Sequence, residues 1–206
     1  MRAAEFSIGF AGAGRLITAP ASLARRERLA LYSLIYGLAP RFALEVGSFR
    51  GGSAAIICAA LHDVDTGGRL LCIDPDMSRI DRAVRAELRD VATIHEGFFP
   101  SEMPAAFHGQ SIRGLFEVCF YDAVHTYEGV LHHLQDLVAF MTPGAFIICH
   151  DGYNLDQARG MSEAAKLAGL IDCGMITRCA NDNCDPTQIY GGMRLFRVPG
   201  ELPPNS

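Results

Sequence analysis

Short runs of apolar residues alternate with segments of helical spacing along most of this chain. The apolar runs have the length of buried strands, and they lie at residues 42–46, 69–73, 92–95, 115–121 and 145–149. Strands that alternate with helices in this way form a parallel sheet with helices on both faces. The sequence therefore predicts an α/β fold, as a Rossmann-like domain of three layers.

The pattern changes near the C-terminus. Helical spacing predicts helices over 22–38, with Ser22 as N-cap, and over 53–62, 80–91, 101–107, 127–141 and 155–170. After the last of these, apolar runs at 175–179 and 193–198 are joined by a polar loop that has no room for a helix. Consecutive strands without a crossover pair antiparallel, so the mostly parallel seven-stranded sheet should end in an antiparallel hairpin.

Domain organisation is expected to be simple, because no internal repeat or low-complexity linker divides the 206 residues. We expect the main domain to span residues 41–198. An N-terminal segment with one helix, residues 1–40, is expected to act as a lid or cap. Residues 199–206 are expected to form a disordered tail.

Charge and hydropathy exclude several classes of protein. The net charge of −5 and the absence of a Lys/Arg stripe argue against nucleic acid as a partner. The longest apolar stretches, residues 54–61 and 144–149, fall short of the roughly 18 residues that cross a bilayer. Four of the seven cysteines lie inside apolar runs, which is typical of a reducing compartment. We therefore expect a cytoplasmic protein with no membrane partner.

Polar residues follow each of the five predicted parallel strands directly. They form clusters at residues 45–52, 74–76, 96–97, 122–125 and 150–151. Because the carboxyl ends of parallel strands meet at one edge of the sheet, all five clusters should converge there. Open α/β sheets bind their ligands at that edge, so the sequence predicts a ligand site.

The first cluster, Glu45-Val-Gly-Ser-Phe-Arg-Gly-Gly-Ser53, supplies a glycine turn followed by a helix N-terminus. Asp74, at the end of the next strand, can accept hydrogen bonds from both hydroxyls of a ribose. These features predict a nucleotide-like cofactor bound by Glu45, Gly47, Ser48, Gly51, Gly52, Ser53, Asp74, Gly97 and Asp122. The glycine spacing is wider than G-x-G-x-x-G, which disfavours a dinucleotide and makes a nicotinamide-dependent oxidoreductase the alternative.

The E-x-G-x-x-x-G turn and the predicted terminal hairpin resemble the class I S-adenosylmethionine-dependent methyltransferases over roughly Ala43 to Val198. The resemblance implies the methyltransferase fold for residues 41–198 and S-adenosyl-L-methionine as the cofactor. A non-catalytic member that binds ligand without turnover stays open, because only residues 1–21 and 180–190 could supply a substrate lid. The acceptor is expected to be a small molecule, and a homo-oligomer stays open.

A narrower likeness is carried by Asp122-Ala-Val-His125-Thr-Tyr127-Glu128, followed by Pro143-Gly144 and His150-Asp151. This pattern resembles the metal-dependent O-methyltransferases of sugars and macrolides, a group that includes enzymes named cephalosporin hydroxylases. The resemblance implies O-methylation of a hydroxyl, with Asp122 and His125 as catalytic residues and His125 as the base. It also implies a divalent cation held by Asp122, His150 and Asp151.

The chemistry of these residue types agrees with the resemblance. Adjacent strands lie about 4.8 Å apart, so residues at their ends can share one ion. Two carboxylates suit Mg²⁺ or Mn²⁺, whereas the imidazole of His150 favours Mn²⁺, Fe²⁺ or Zn²⁺. A cation beside His125 should depress the pKa of its imidazole and keep it neutral. His132 and His133 lie in mid-helix and are expected to be a packed or solvated pair.

Overall fold

The computed structural model describes residues 19–178 and 191–200. The strands are β1 (Phe42–Val46), β2 (Arg69–Asp74), β3 (Ala92–Glu96), β4 (Ala106–Phe107), β5 (Gln110–Ser111), β6 (Phe116–Tyr121), β7 (Met141–Cys149), β8 (Ile171–Met175) and β9 (Arg194–Arg197). The α-helices are α1 (Arg25–Leu38), α2 (Gly52–Val64), α3 (Arg82–Leu88), α4 (Tyr127–Leu137) and α5 (Leu155–Ala168). Short 3₁₀ turns lie at Met77–Arg79 and Val138–Phe140.

Seven strands form one sheet in the order β3-β2-β1-β6-β7-β9-β8. The pairs from β3 to β7 are parallel, and β9 runs antiparallel to both β7 and β8. The predicted α/β fold, with a mostly parallel seven-stranded sheet that ends in antiparallel strands, is confirmed. This order places the carboxyl ends of β1, β2, β3, β6 and β7 at one edge.

Every residue of β1 is buried, because helices cover both faces of the sheet. Leu44 and Val46 face the layer that contains α4 and α5, whereas Ala43 faces the layer that contains α1 and α2. A strand that is buried on both faces has a continuous apolar sequence, and this is why residues 42–46 could be predicted as a strand. The one buried charge in this strand is Glu45.

The prediction of a helix over 101–107 is wrong. The chain instead forms the two-stranded antiparallel sheet of β4 and β5. His108 and Gly109 connect the two strands with φ angles of 47° and 76°, which is the left-handed backbone that a tight hairpin turn requires. Phe107 packs edge-on against Phe42 at 5.7 Å, so burial of this ring holds the hairpin on the sheet.

Several element boundaries differ from prediction, since the helix predicted over 80–91 spans Arg82–Leu88, the one predicted over 127–141 ends at Leu137, and β7 begins at Met141 rather than at 145. Helix α1 begins at Arg25 rather than near Ser22, and the backbone N–H of Ala24 donates to Glu27 Oε2 at 2.7 Å. Strand β8 begins at Ile171, four residues before the predicted run at 175–179, because Gly169 ends α5 early in a left-handed conformation with φ 69°. Residue 179 of that run lies outside the described residues.

The domain boundaries at 40 and 198 stay predictions, since residues 1–18 and 201–206 of the predicted lid and tail lie outside the described residues. In the described ranges, no helix combines the length and the apolar character that crossing a bilayer demands.

Candidate functional site

A cavity of about 710 Å³ opens at the carboxyl edge of the sheet. All five polar clusters predicted from the sequence contribute to its lining. One side, the glycine-turn half, is lined by Gly47, Asp74 and Gly97. The other side, the carboxylate half, is lined by Asp122, His125, His150 and Asp151.

The glycine turn passes very close to the end of β6. Gly47 has φ +91°, and a Cβ built on it would lie 2.1 Å from the carbonyl oxygen of Asp122. Only glycine avoids both the strained φ and this collision. The close approach joins the two halves of the cavity backbone to backbone.

Asp74 fixes the shape of the glycine turn. Its Oδ2 accepts hydrogen bonds from the backbone N–H groups of Ser48 at 2.9 Å and Phe49 at 3.0 Å. Its Oδ1 accepts from the N–H of Asp76 at 2.9 Å. A carboxylate has about four acceptor sites, so Asp74 keeps about one of them for a hydroxyl group of a ligand in the cavity.

Glu45 lies beneath the turn and is fully buried. The hydroxyl of Ser48 donates to its Oε2 at 2.5 Å, whereas Oε1 has no hydrogen-bond partner within the described residues. Burial raises the pKa of Glu45 to about 7, because removal from water disfavours the charged form. This carboxyl group therefore supports the turn from below and does not line the cavity.

The carboxylate half concentrates three metal-ligating side chains. Ligand atoms of Asp122, His125 and Asp151 all lie within 4.8 Å of one another. His125 Nδ1 lies 3.3 Å from Asp151 Oδ2 and 2.5 Å from the amide nitrogen of Gln157. The hydrogen bond to Asp151 raises the pKa of His125, the reverse of what a neighbouring cation would do.

His150 is enclosed by carboxylates. Its Nδ1 lies 3.4 Å from Asp122 Oδ2 and 3.5 Å from Asp151 Oδ1, and its Nε2 lies 3.5 Å from Glu27 Oε2. Burial works to lower the pKa of His150, but these carboxylates outweigh it and raise the pKa to about 10. These carboxylates therefore favour the protonated form of His150.

Comparison with known proteins decides what kind of domain carries this cavity. A family described as a methyltransferase domain matches residues 44–152, from β1 to just beyond β7. The chain belongs to this methyltransferase family. The matched range contains the glycine turn, Asp74 and the whole of the Asp122, His125 and Asp151 cluster. No curated protein matches the chain in sequence.

Solved structures share the fold of this methyltransferase domain. An O-methyltransferase from Bacillus cereus in complex with SAH aligns with a TM-score of 0.65 at 18% identity, over 91% of this chain and 86% of that chain. Cofactor-bound Rv0187 from MTB gives 0.66 at 18% identity, over 93% and 89%. The O-methyltransferase TomG from Streptomyces achromogenes, in complex with SAM, gives 0.59 at 18% identity, over 87% and 82%.

The predicted site residues of the methyltransferase domain fall into two groups. Gly47, Asp74, Gly97 and Asp122 line the cavity, as do His125, His150 and Asp151. The other predicted cofactor residues, which are Glu45, Ser48, Gly51, Gly52 and Ser53, lie behind the lining and shape the turn and the start of α2. The prediction of His150 as a metal ligand stays a prediction, and the group whose ligand atoms lie together is Asp122, His125 and Asp151.

Sequence reasoning missed three residues of this site. Glu27 reaches it from α1, and its sequence position indicated no more than an acidic residue in a first helical turn. Gln157 contacts His125 from α5, and a lone glutamine in a helix gives no signal. His133 lines the cavity, although it was expected to be packed or solvated.

Glu27 joins elements that are distant in the chain. Its Oε1 accepts a hydrogen bond from the N–H of Gly192 at 2.5 Å, and the neighbouring Gly191 N–H donates to Asp151 Oδ1 at 2.9 Å. Burial works to raise the pKa of Glu27, but His150 and the backbone N–H groups of Ala24 and Gly192 together outweigh it and lower the pKa. Helix α1 is thereby attached to the carboxylate half of the cavity.

Proposed function

We propose that this chain transfers the methyl group of S-adenosyl-L-methionine to a hydroxyl oxygen of a small molecule, with assistance from a divalent cation. The observation that carries the proposal is that one cavity joins a ribose-type carboxylate, Asp74, to the cluster of Asp122, His125 and Asp151. Asp74 suits the ribose of the methyl donor, and the cluster of Asp122, His125 and Asp151 suits the hydroxyl acceptor. Membership of a methyltransferase family supports this assignment over a nicotinamide-dependent oxidoreductase.

The glycine-turn half is proposed to hold the cofactor. Asp74 lines the cavity with about one acceptor site left for a ribose hydroxyl, and the glycine backbone leaves space for the ligand to approach. Relatives in fold support the assignment, since two of them are O-methyltransferases described in complex with SAH or SAM. The sulfonium would then face Asp122, which lies beside Gly47.

His125 is proposed to be the base that takes the acceptor's proton. With Nδ1–H donated to Asp151, the lone pair of Nε2 is available to a hydroxyl in the cavity. Gln157 fits this state when its amide oxygen, rather than its nitrogen, faces Nδ1, since the two orientations are related by a 180° turn. As the hydroxyl oxygen attacks the methyl carbon, the carbon–sulfur bond breaks, S-adenosylhomocysteine leaves and His125 retains the proton.

A divalent cation fits the residues of the carboxylate half. Asp122 and Asp151 would hold it, because both side chains line the cavity and remain partly exposed, at 24% and 20%. Two carboxylates with room for water are the donor set that Mg²⁺ and Mn²⁺ accept. When bound, such an ion lowers the pKa of the acceptor hydroxyl. His150 is proposed to stay outside the ligand set as the cation that balances these carboxylates.

Calorimetric titration with S-adenosylhomocysteine tests the cofactor half. Asp74→Ala should weaken binding about ten- to hundredfold, because charge-assisted hydrogen bonds worth about 1.5–3 kcal/mol are lost. Asp90→Ala is the matched control, since this exposed aspartate precedes β3 at the opposite edge of the sheet. Absence of binding by the unaltered protein at millimolar ligand would refute the proposed function.

Thermal melting at increasing Mn²⁺ concentrations tests the carboxylate half. Mn²⁺ should raise the melting temperature of the unaltered protein, and Asp122→Asn should remove that gain, because one of two hard ligands is lost. Full methyl transfer after exhaustive chelation would exclude the metal from the mechanism. Cofactor binding without turnover across a broad panel of hydroxyl acceptors would favour a non-catalytic, ligand-binding protein instead.

A further inference from the structure

His133 is a polar side chain of the cavity to which the proposed reaction gives no role. It lies on α4 and lines the cavity together with Phe98 and Phe99, two residues that follow β3. The Phe99 ring meets the His133 ring edge-on, with centroids 5.3 Å apart. The buried Tyr121 ring meets it edge-on from the other side, at 6.0 Å. Aromatic rings therefore fix the plane of this imidazole.

The hydrogen bonding of His133 defines its tautomer. The hydroxyl of Tyr121 lies 3.1 Å from His133 Nδ1. Burial lowers the pKa of His133, so the imidazole is neutral at pH 7 and has one nitrogen that accepts and one that donates. We assign the Tyr121 hydroxyl as the donor to Nδ1, which places the ring hydrogen on Nε2. No residue within the described ranges accepts a hydrogen bond from Nε2.

The other groups around His133 offer a ligand little polarity. The lining there is mainly apolar, from Ile73, Pro75, Phe98, Phe99, Ala123 and Val124. The backbone N–H of Phe98 already donates to Glu102 Oε2 at 2.7 Å. The guanidinium of Arg79, which also lines the cavity, already pairs with Asp76 at 2.7 Å. The Asp76 carboxylate engages Nε of Arg79, and His133 Nε2 is the ring nitrogen among the described residues that lies between these aromatic side chains without a hydrogen-bond partner.

We propose, resting on the proposed function, that His133 donates a hydrogen bond from Nε2 to a ring nitrogen of the cofactor's adenine. The methyl transfer is assigned to the region of Asp122, His125 and Asp151, and the ribose is assigned to Asp74. The adenine ring of the cofactor would therefore occupy the aromatic end of the cavity. Flat aromatic walls suit a purine, and N1, N3 and N7 of adenine are hydrogen-bond acceptors. Tyr121 is then the residue that holds the His133 tautomer.

The experiment pairs a set of variants with a set of ligands. Binding of S-adenosylhomocysteine is compared with binding of three analogues in which N1, N3 or N7 of adenine is replaced by carbon. His133→Phe keeps a flat ring but removes the donor, and it should weaken S-adenosylhomocysteine about five- to tenfold. One of the three analogues should bind the unaltered protein about five- to tenfold more weakly than S-adenosylhomocysteine does. The same analogue and S-adenosylhomocysteine should bind His133→Phe equally, since the variant and the analogue each remove the same hydrogen bond.

His132→Phe is the matched control, because this neighbouring histidine is exposed and should leave affinity unchanged. His133→Met also removes the donor and replaces His133→Phe if melting shows that the latter is not folded. Unaltered affinity in the His133 variants, or equal losses for every analogue in both proteins, would overturn the inference while leaving the proposed function intact. No binding of S-adenosylhomocysteine by the unaltered protein would overturn the proposed function itself.

Discussion

Each half of the cavity rests on a buried glutamate, and the two glutamates are held in opposite ways. Beneath the glycine-turn half, one oxygen of Glu45 has no hydrogen-bond partner among residues 19–178 and 191–200, and burial raises the pKa of Glu45 to about 7. Behind the carboxylate half, both oxygens of Glu27 accept backbone N–H groups and Oε2 faces His150. The pKa of Glu27 is lowered even though its side chain is fully buried.

The difference shows how each half is built. The glycine-turn half is made by one short stretch of chain, with a near-neutral acid beneath it. The carboxylate half is a network of charges from distant elements, since Glu27 and His150 are 123 positions apart and Glu27 and Gly192 are 165 apart. A buried carboxylate stays charged where such a network satisfies it, and is protonated easily where it does not.

The largest expected effect tests the chemistry of the carboxylate half. His125→Gln should reduce kcat about 10²- to 10⁴-fold, because a general base contributes that much to proton transfer. Affinity for S-adenosylhomocysteine and for Mn²⁺ should not change, since the base is proposed to stay off the ion. The value of kcat is measured by methyl transfer from labelled cofactor to a panel of hydroxyl acceptors. The affinities for S-adenosylhomocysteine and Mn²⁺ are measured by calorimetry. Loss of Mn²⁺ affinity would instead make His125 a ligand.

A matched pair of substitutions tests the contrast between the glutamates. Glu27→Gln should destabilise the protein by about 3–5 kcal/mol, because it leaves the buried His150 cation without one partner and turns an amide N–H group towards Gly192 or Ala24. Urea unfolding at pH 7 measures the change. Equal stability of the variant would show that the network around His150 does not depend on the charge of Glu27.

Glu45→Gln should have the opposite sign and a smaller size. The folded pKa of about 7 lies above the ordinary value of 4.5, so the folded protein holds a proton that the unfolded chain has released. Stability should fall as pH rises between those values, by up to about 3 kcal/mol in total. The glutamine variant should lack this fall and exceed the unaltered protein at pH 8. Parallel pH profiles from pH 4.5 to pH 8 would contradict the assignment.

The sequence predicted the parts of the fold that depend on neighbouring residues. Buried parallel strands are continuous apolar runs, so β1 and β7 were recognisable, and the two final strands without a helix between them predicted the antiparallel end of the sheet. The β4–β5 hairpin was missed because its turn, His108-Gly109, is not preceded by a strand pattern long enough to recognise. The burial of Phe107 against Phe42 forms it, and that contact spans 65 positions.

The same distinction applies to the site. Asp74 and Asp122 could be predicted, because a carboxylate at the end of a parallel strand must face the carboxyl edge of the sheet. Glu27 and Gln157 could not, since their roles depend on how α1 and α5 pack against that edge. His150 was predicted to lie at the carboxyl edge of the sheet, and it lines the cavity there. Its raised pKa depends partly on Glu27 from α1, a contact that the sequence does not indicate.

The hydrogen bond from Gly192 to Glu27 also bears on how the chain is made. Helix α1 leaves the ribosome before every strand of the sheet, yet one partner of its buried carboxylate follows β8 and is synthesised near the end. The other partners of Glu27, the N–H of Ala24 and the imidazole of His150, are made earlier. Helix α1 therefore gains its hydrogen bond to the loop after β8 only when Gly192 has been added.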